Sequence, residues 1–488
     1  MIQPRLRLTI MEIGFTINHL LDFIPVLEII FMPLRFNTRN FAARFERFTN
    51  GGYWSISLPA LNRRNLTLFW ADGLFSAASD TIPINYLTLY ILVFGATSSQ
   101  VGWLSALTSL AGAICLLPGA FIVERYGHRK SIVVWFGLMA RVGLLILALV
   151  PLISSGQTLI WLIILISVVR AGAGNILFPA WVSMSGDLVP IEGRGRYFSA
   201  RSIIVVVASI IMTYLVGEFI TLVGSALGYQ VSFALAFLVG LASTYFFARI
   251  IDIVPAHAAP SSAAFSWKEA WHDVRSNPVF LTFCIISAFW NFFLNIAGPF
   301  FNVYMVDNLS FTAAMVGITA VATSITKLLT QKKMGEISDR VGPEKVQMIS
   351  MFLIPILPFA WVFATQLWHV VAINLFGGIV WGAFELTSFN FLLQLTPPAL
   401  RARYSAFFQI IVTVSLAAGA ALGSVLLGWG YTTVFLVSGF GRVFAAICFL
   451  FMIRWLGKNK SGPHARPQDG AQTSPHVSPA APELQNPV

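Results

Sequence analysis

The chain has 488 residues, of which 57% are hydrophobic and only 10% charged, with a mean hydropathy of +0.77. That balance excludes an ordinary soluble domain and predicts a chain whose solvent is lipid. The net charge of +11 does not point to nucleic acid, because the basic residues lie in the terminal segments and in alternate loops, which is how a membrane protein encodes its orientation.

Residues 1–65 read as an extension ahead of the first crossing. The stretch from Leu8 to Leu34 is apolar, but Glu12, His19, Asp22, Pro25 and Glu28 interrupt it, and each charge at bilayer depth costs a few kcal/mol. The reading is a cytoplasmic or interfacial helix, with Arg35, Arg39, Arg44 and Arg47 facing anionic lipid. It lacks the design of a signal peptide, and a start codon placed too far upstream explains it equally well.

Twelve apolar runs follow: Leu66 to Val93, Val101 to Val123, Ser131 to Ile153, Leu159 to Trp181, Tyr197 to Leu222, Val231 to Ile253, Val279 to Val306, Ala313 to Met334, Val346 to Ala364, Trp368 to Leu395, Ser405 to Gly428 and Thr432 to Trp455. Each is long enough for a helix to cross the hydrocarbon, which takes about 20 residues. The predicted fold is an all-α membrane protein, with one six-helix bundle over 66–253 and another over 279–456. The turns 94–100, 154–158, 223–230, 307–312, 365–367 and 429–431 hold no Lys or Arg, whereas the opposite turns are basic. The basic side, with both termini, is therefore expected in the cytoplasm.

The linker 254–278 divides the runs six and six; Trp267, Trp271 and Val274 within it recur at helical spacing and predict a short surface helix. The tail 457–488 is rich in Pro, Ser, Ala and Gln and is expected to be disordered. Cys115, Cys284 and Cys448 lie singly in apolar runs, so no disulfide is expected, and neither they nor the seven histidines have metal-ligand spacing. No cofactor, metal or nucleic-acid partner is expected, and no constellation of an enzyme stands in a water-accessible loop.

The chain repeats itself. GAFIVERYGHRK, Gly119 to Lys130, is echoed by GEISDRVGPEK, Gly335 to Lys345: Glu124 matches Asp339, Arg125 matches Arg340, Gly127 matches Gly342 and Lys130 matches Lys345, at an offset of 215 (339 minus 124). PIEGRGRY, Pro190 to Tyr197, is echoed by PALRARY, Pro398 to Tyr404. An acid beside an arginine, a glycine two residues on and further basic residues, twice at one offset, resembles the loops between helices two and three and between helices eight and nine of the major facilitator superfamily. The resemblance implies two pseudo-symmetric six-helix bundles around a polar cavity, transporting a solute by alternating access.

Charges inside the spans are costly and usually line a cavity or meet a partner. Asp72, Ser76, Ser79 and Asp80 share one side of the first helix within about 100 degrees; Asn291, Asn295, Gly298 and Asn302 make a stripe about 60 degrees wide on the seventh. Asn374, Trp381, Glu385 and Ser388 align on the tenth, and Thr319, Thr323, Thr326 and Thr330 on the eighth beside Lys327. The resemblance implies that helices one, four, seven and ten line the cavity, which makes Asp80, Arg170, Trp181, Asn291, Asn295, Asn302, Trp381 and Glu385 the candidate cavity residues. Arg170 with Gly172 and Gly174 is similar in part to a pattern of proton-coupled drug exporters in that family; the two glycines read as close helix packing rather than a phosphate loop, since no strand precedes them. Asp72, Asp80 and Glu385 are the candidates for proton coupling, Asp80 first because it lies nearer mid-span. The polar stripes also have a plainer reading as hydrogen bonds to neighbouring helices, and Arg141 and Arg442 are read as structural.

The resemblance further implies a cytoplasmic gate of Glu124, Arg125, Arg129, Gly335, Asp339 and Arg340, with Glu124 facing Arg401 or Arg403 at the start of helix eleven and Asp339 facing Arg194 and Arg196 of helix five. Glu124 and Ala120 depart from the family pattern, as do Pro343 and Glu344. Proton-driven efflux of a small solute is the leading reading, although the helix-five segment IIMTYLVGEFI lacks the glycine-proline motif of family antiporters. Uptake of a small polar solute with a proton is the alternative, and a transporter-like receptor or lipid-handling protein is a third. Small solute, protons and membrane lipid are the expected partners of a monomer in the cell membrane.

Overall fold

The computed structural model describes residues 45–126, 128–190, 193–251, 272, 275–396 and 401–460. The interfacial helix expected between Leu8 and Leu34, the linker helix around Trp267 and most of the tail lie outside the described residues.

Among the described residues the chain forms twelve long rods. Helix one is Ala60–Val93, helix two Ser98–Tyr126, helix three Arg129–Leu149, helix four Gly156–Leu188, helix five Arg194–Val223 and helix six Ala226–Ala248. Helix seven is broken into Pro278–Ala297 and Phe300–Asp307 at Gly298 and Pro299, and helix nine into Pro343–Leu353 and Ile356–Val362 around Pro355, since a proline removes a backbone donor and its ring collides with the preceding turn. Helix eight is Ala313–Val341, helix ten Leu367–Leu395, helix eleven Arg401–Leu426 and helix twelve Tyr431–Lys460. Eleven of the twelve are long and apolar enough to cross a membrane by composition. Helix one is the exception, because it carries Asp72, Ser76, Ser79, Asp80 and Asn85, yet its 34 residues span about 51 Å at 1.5 Å per residue, more than the hydrocarbon is thick.

Helix ends follow ordinary capping chemistry. Asn277 accepts from Phe280 N at 3.1 Å ahead of Pro278, Thr312 accepts from Met315 N at 3.4 Å, and helix five stops at Gly224 with φ 63°, a left-handed conformation that glycine adopts without penalty.

The packing scheme is duplicated. In the first half, helix four packs on two and three, helix six on one and three, and helix five on one. Adding six to each number gives the second half: ten on eight and nine, twelve on seven and nine, and eleven on seven. The halves meet through helix two against eleven and helix five against eight, a pair that the same rule interchanges. Even single residues keep station: Tyr197 stacks on Phe69 at 6.1 Å, and Tyr404 meets Phe280 edge-on at 4.5 Å.

The hydrophobic core differs between the two ends. At the Lys/Arg-free end one cluster runs through both halves, joining Ile82, Tyr86 and Val216 to Ile296, Phe300 and Phe435. Toward the basic end it divides into a cluster of the first half around Phe69, Met184 and Tyr197 and one of the second half around Phe283, Trp290 and Phe449. Cross-half hydrogen bonds lie at the joined end: Ala314 N donates to Thr221 Oγ1 at 3.0 Å, Asp307 accepts from Ser98 at 3.3 Å, and the Ser98 and Tyr431 hydroxyls bond at 3.1 Å. Close approach there uses small residues; a Cβ on Gly102 would collide with Ser424 Oγ and Phe300 of the other half.

Candidate functional site

Helices one, three, four, five and six of the first half enclose a cavity of about 530 Å³ lined by Asp72, Asp80, Arg141, Arg170, Trp181 and Arg201 among others. Its wall runs from mid-span toward the basic end, over 72–80 of helix one, 133–141 of helix three and 170–181 of helix four. The polar arc of helix one is what faces it. Ser79 lies outside the arc's chemistry, donating to Ala236 O at 2.7 Å to fix helix one on helix six.

Two ion-pair systems organise the wall. Asp72, fully enclosed with 6% exposure, accepts from Arg201 at 3.3 Å and from Ser243 at 2.8 Å. Asp80 is clasped by Arg141, whose Nη1 meets Oδ1 while Nη2 reaches Oδ2 at 3.3 Å, and it also accepts from Ser76 at 3.0 Å. Arg170 stands behind this pair, its Nη1 3.9 Å from Asp80 Oδ1 and its Nε buried without a hydrogen-bond partner. The aromatic part of the wall is Trp181, 5.7 Å from Phe69 and 6.4 Å from Phe178, with the Arg201 guanidinium over the Phe69 ring at 4.4 Å and over Trp181 at 5.3 Å. Such cation–π contacts hold a guanidinium while leaving its edge free to donate.

The structure thus gathers Asp72, Asp80, Arg170 and Trp181 in one cavity and adds two arginines. Arg141, read from the sequence as structural, does pair, but its partner is the leading acid of the site, because a long side chain reaches from helix three to helix one. Arg201 is absent from the candidates that the sequence offers. It sits one turn inside the apolar run, where a charge at depth was the available signal, masked by the basic flank of Arg194 and Arg196. Gly172 packs on Cys115, whereas Gly174 lines the cavity and a Cβ there would meet nothing within 4 Å.

The candidates of the second half are placed elsewhere. Asn291 donates to Ser287 O of its own helix at 2.8 Å and lines a separate, smaller space of about 150 Å³ with Trp290 and Gln347. Asn295 donates to Leu416 O of helix eleven at 2.7 Å and to Ser105 of helix two at 3.4 Å, tying the halves together. Asn302 lies beyond the break at Pro299, half-buried, and Trp381 packs edge-on against Phe384 at 5.6 Å. Glu385 pairs with Lys327 of helix eight in an exposed ion pair, their side chains 55% and 36% exposed. Among the described residues, no three His, Cys, Asp or Glu side chains converge as a metal site does.

The Major Facilitator Superfamily profile matches residues 70–297 and 291–483. The chain belongs to the Major Facilitator Superfamily. It is a multi-pass membrane transporter of a small molecule and not an enzyme. It is similar to the "Multi-drug resistance efflux pump PmrA" of Streptococcus pneumoniae serotype 4, 23% identical over 407 residues that cover 81% of this chain and 98% of that one. It is also similar to the "Multidrug resistance protein MdtG" of Dickeya zeae, 20% identical over 389 residues, 77% and 91% of the two chains. Among solved structures the nucleoside transporter NupG superposes with a TM-score of 0.62 at 17% identity, covering 81% of this chain and all of that one. A POT family transporter does so with 0.63 at 12%, covering 81% and 96%; these likenesses speak to the fold alone.

Within this superfamily member the basic-end residues are placed as follows. Arg129 is bound inside the first half, donating to Asp187 at 2.5 Å and to Ser183 at 3.0 Å. Arg194 caps helix four through Gly186 O at 2.6 Å, and Arg125 lies over Phe121 at 5.8 Å. Gly335 is half-buried and Arg340 exposed, while the side chains of Glu124, Asp339 and Arg401 lie outside those described.

Proposed function

We propose that this chain is a proton-coupled secondary transporter of a small amphipathic solute, working in the cell membrane by alternating access, with Asp80 as the proton site. The observation that carries it is the position of Asp80: a carboxylate at mid-span, 36% exposed on a cavity wall, clasped by Arg141 and backed by Arg170. A proton on such a carboxylate loosens the clasp of Arg141 and weakens the field that holds Arg170 near it, and so links protonation to the shape of the cavity. The fused core at the Lys/Arg-free end and the divided cores at the basic end support an inward-facing arrangement, the basic loops marking the cytoplasm. The membrane's anionic leaflet would meet those loops, and the protein would work as a monomer.

The named activity of the relatives supports export, the direction first expected. A second reading, uptake of the solute together with a proton, is favoured by the arginines around Asp80, which lose their counter-charge whenever that acid is protonated. The test is reconstitution of the full chain in liposomes with an imposed pH gradient and a pH dye inside. Asp80→Asn is expected to abolish uphill movement of solute and substrate-triggered proton flux while sparing downhill exchange. Uphill transport by Asp80→Asn would overturn the assignment.

A further inference from the structure

The charges on the cavity wall do not balance. Asp72 and Asp80 face Arg141, Arg170 and Arg201; helix six contributes only Ser243 and Thr244 beside Phe247 there. Asp72 is engaged by Arg201 and Ser243, and Asp80 by Arg141 and Ser76. That leaves Arg170, which makes no hydrogen bond among the described residues. Its nearest anionic oxygen is 3.9 Å away and already bonded to Arg141, and its Nε is buried without a partner. A guanidinium carries five donors in a planar fork and keeps its charge, and a largely enclosed cation, its side chain 21% exposed, that lacks a hydrogen-bonded counter-charge favours a ligand supplying one. On the same wall Trp181 and Phe178 lie near-parallel at 6.4 Å, Phe178 half exposed, an aromatic surface against which an apolar body packs.

We propose that the cargo is an amphipathic organic anion whose acidic group is taken by Arg170 and whose apolar body lies on Trp181 and Phe178, and that it binds together with a proton on Asp80. The second half of the statement follows from sign. Protonating Asp80 removes a negative charge from Arg141 and Arg170, so a wall with an excess of one cation becomes a wall with an excess of two, and an anion binds better. By linkage the bound anion favours the proton equally. A cargo that competes with the proton, as antiport needs, would have to be cationic here. The inference rests on Asp80 as proton site and decides between the two directions in favour of co-transport.

The experiment is equilibrium binding to the purified full chain, followed by tryptophan fluorescence, of three probes with one ring system: 1-naphthylacetate, 1-naphthylacetamide and 1-(1-naphthyl)ethylamine. The carboxylate, ionised at both about pH 6 and about pH 8, is expected to bind roughly tenfold or more tighter than the amide, in line with a charge-assisted hydrogen bond, and tighter at the lower pH. Arg170→Gln should erase the preference and Arg170→Lys keep part of it, while Asp80→Asn should keep the preference and lose its pH dependence. Equal or tighter binding of the amide or the amine by the unaltered protein, no binding of the carboxylate, or tighter carboxylate binding at the higher pH overturns the proposal without relying on any variant's folding. Loss of anion preference with Asp80-dependent proton flux intact sinks this inference alone; anion binding with no proton-linked flux sinks the proposed function instead.

Discussion

The two halves share one plan of helix packing and differ in what they do with charge. In the first half five ionisable side chains from four helices interlock around a cavity. In the second, Lys327 and Glu385 pair at an exposed position, and the buried Arg442 donates from Nη2 to Leu294 O at 3.1 Å, its Nε without a partner among the described residues. Tyr197 and Tyr404 keep equivalent places against aromatic rings of helices one and seven, so duplication preserved the packing while the chemistry diverged. Packing in such a bundle depends on side-chain size and small-residue contacts, which tolerate change at cavity-facing positions; the charged chemistry of each half is therefore free to change separately.

The sharpest way to break that contrast is to unpair the most deeply buried ion pair of the first half. Arg201→Met leaves the Asp72 carboxylate enclosed with only Ser243 to answer it, and removing one partner of a buried pair costs about 3 kcal/mol or more. The expected outcome is a fall of that size in the unfolding free energy of the purified protein, largely restored by adding Asp72→Asn, since neutralising both partners removes the stranded charge. A loss below about 1 kcal/mol in the single variant would mean that the pair is as weakly coupled as a surface one.

That prediction rests on a residue the sequence did not advertise, and the reason is instructive. The twelve crossings and the doubled architecture were legible because hydropathy over about 20 residues and a charge motif repeated at one offset are long-range, redundant signals. The inward arc of helix one was legible too, since costly charges at helical spacing face away from lipid. Which helix each acid would meet was not legible: Arg201 hides in the basic flank of its span, and Arg141 crosses to helix one from helix three, where it reads as structural. The asparagine stripe of helix seven is one face in projection, but the break at Gly298 and Pro299 divides it, leaving Asn295 against helices two and eleven and Asn302 past the kink. Tertiary partners depend on side-chain reach and helix breaks, which periodicity does not encode.

A smaller effect is expected where the halves join. Asn295 spends its amide on Leu416 O and Ser105 across helices seven, eleven and two, and an interhelical hydrogen bond in a membrane contributes about 0.6 kcal/mol. Asn295→Ala should therefore barely change unfolding, yet it should shift the balance between the two faces of the transporter, because Ser105 belongs to the opposite half and that contact exists only while the Lys/Arg-free end is closed. Thiol labelling of a Cys substituted for Ala313, buried where helix eight meets helix five at the same end, should rise about threefold in the Asn295→Ala background, the factor that 0.6 kcal/mol gives at 1.4 kcal/mol per decade. Unchanged labelling would remove Asn295 from the closure.

The smallest effect belongs to the second half's own ion pair. Lys327 and Glu385 are 36% and 55% exposed, far less enclosed than Asp72 and Arg201, and exposed pairs are worth about 0.2 to 1 kcal/mol. Lys327→Ala should cost less than about 0.5 kcal/mol of stability and should leave binding of an anionic probe to the first half unchanged, because Arg170 and its neighbours touch neither residue. If Lys327→Ala instead lowered anion affinity tenfold, Lys327 would have to reach the cargo from the other half, the site would bridge the two bundles, and the division of labour drawn here would fail. The same measurement on Arg170→Gln supplies the contrast: a loss there with none at Lys327 localises recognition to the half in which the arginines outnumber the acids.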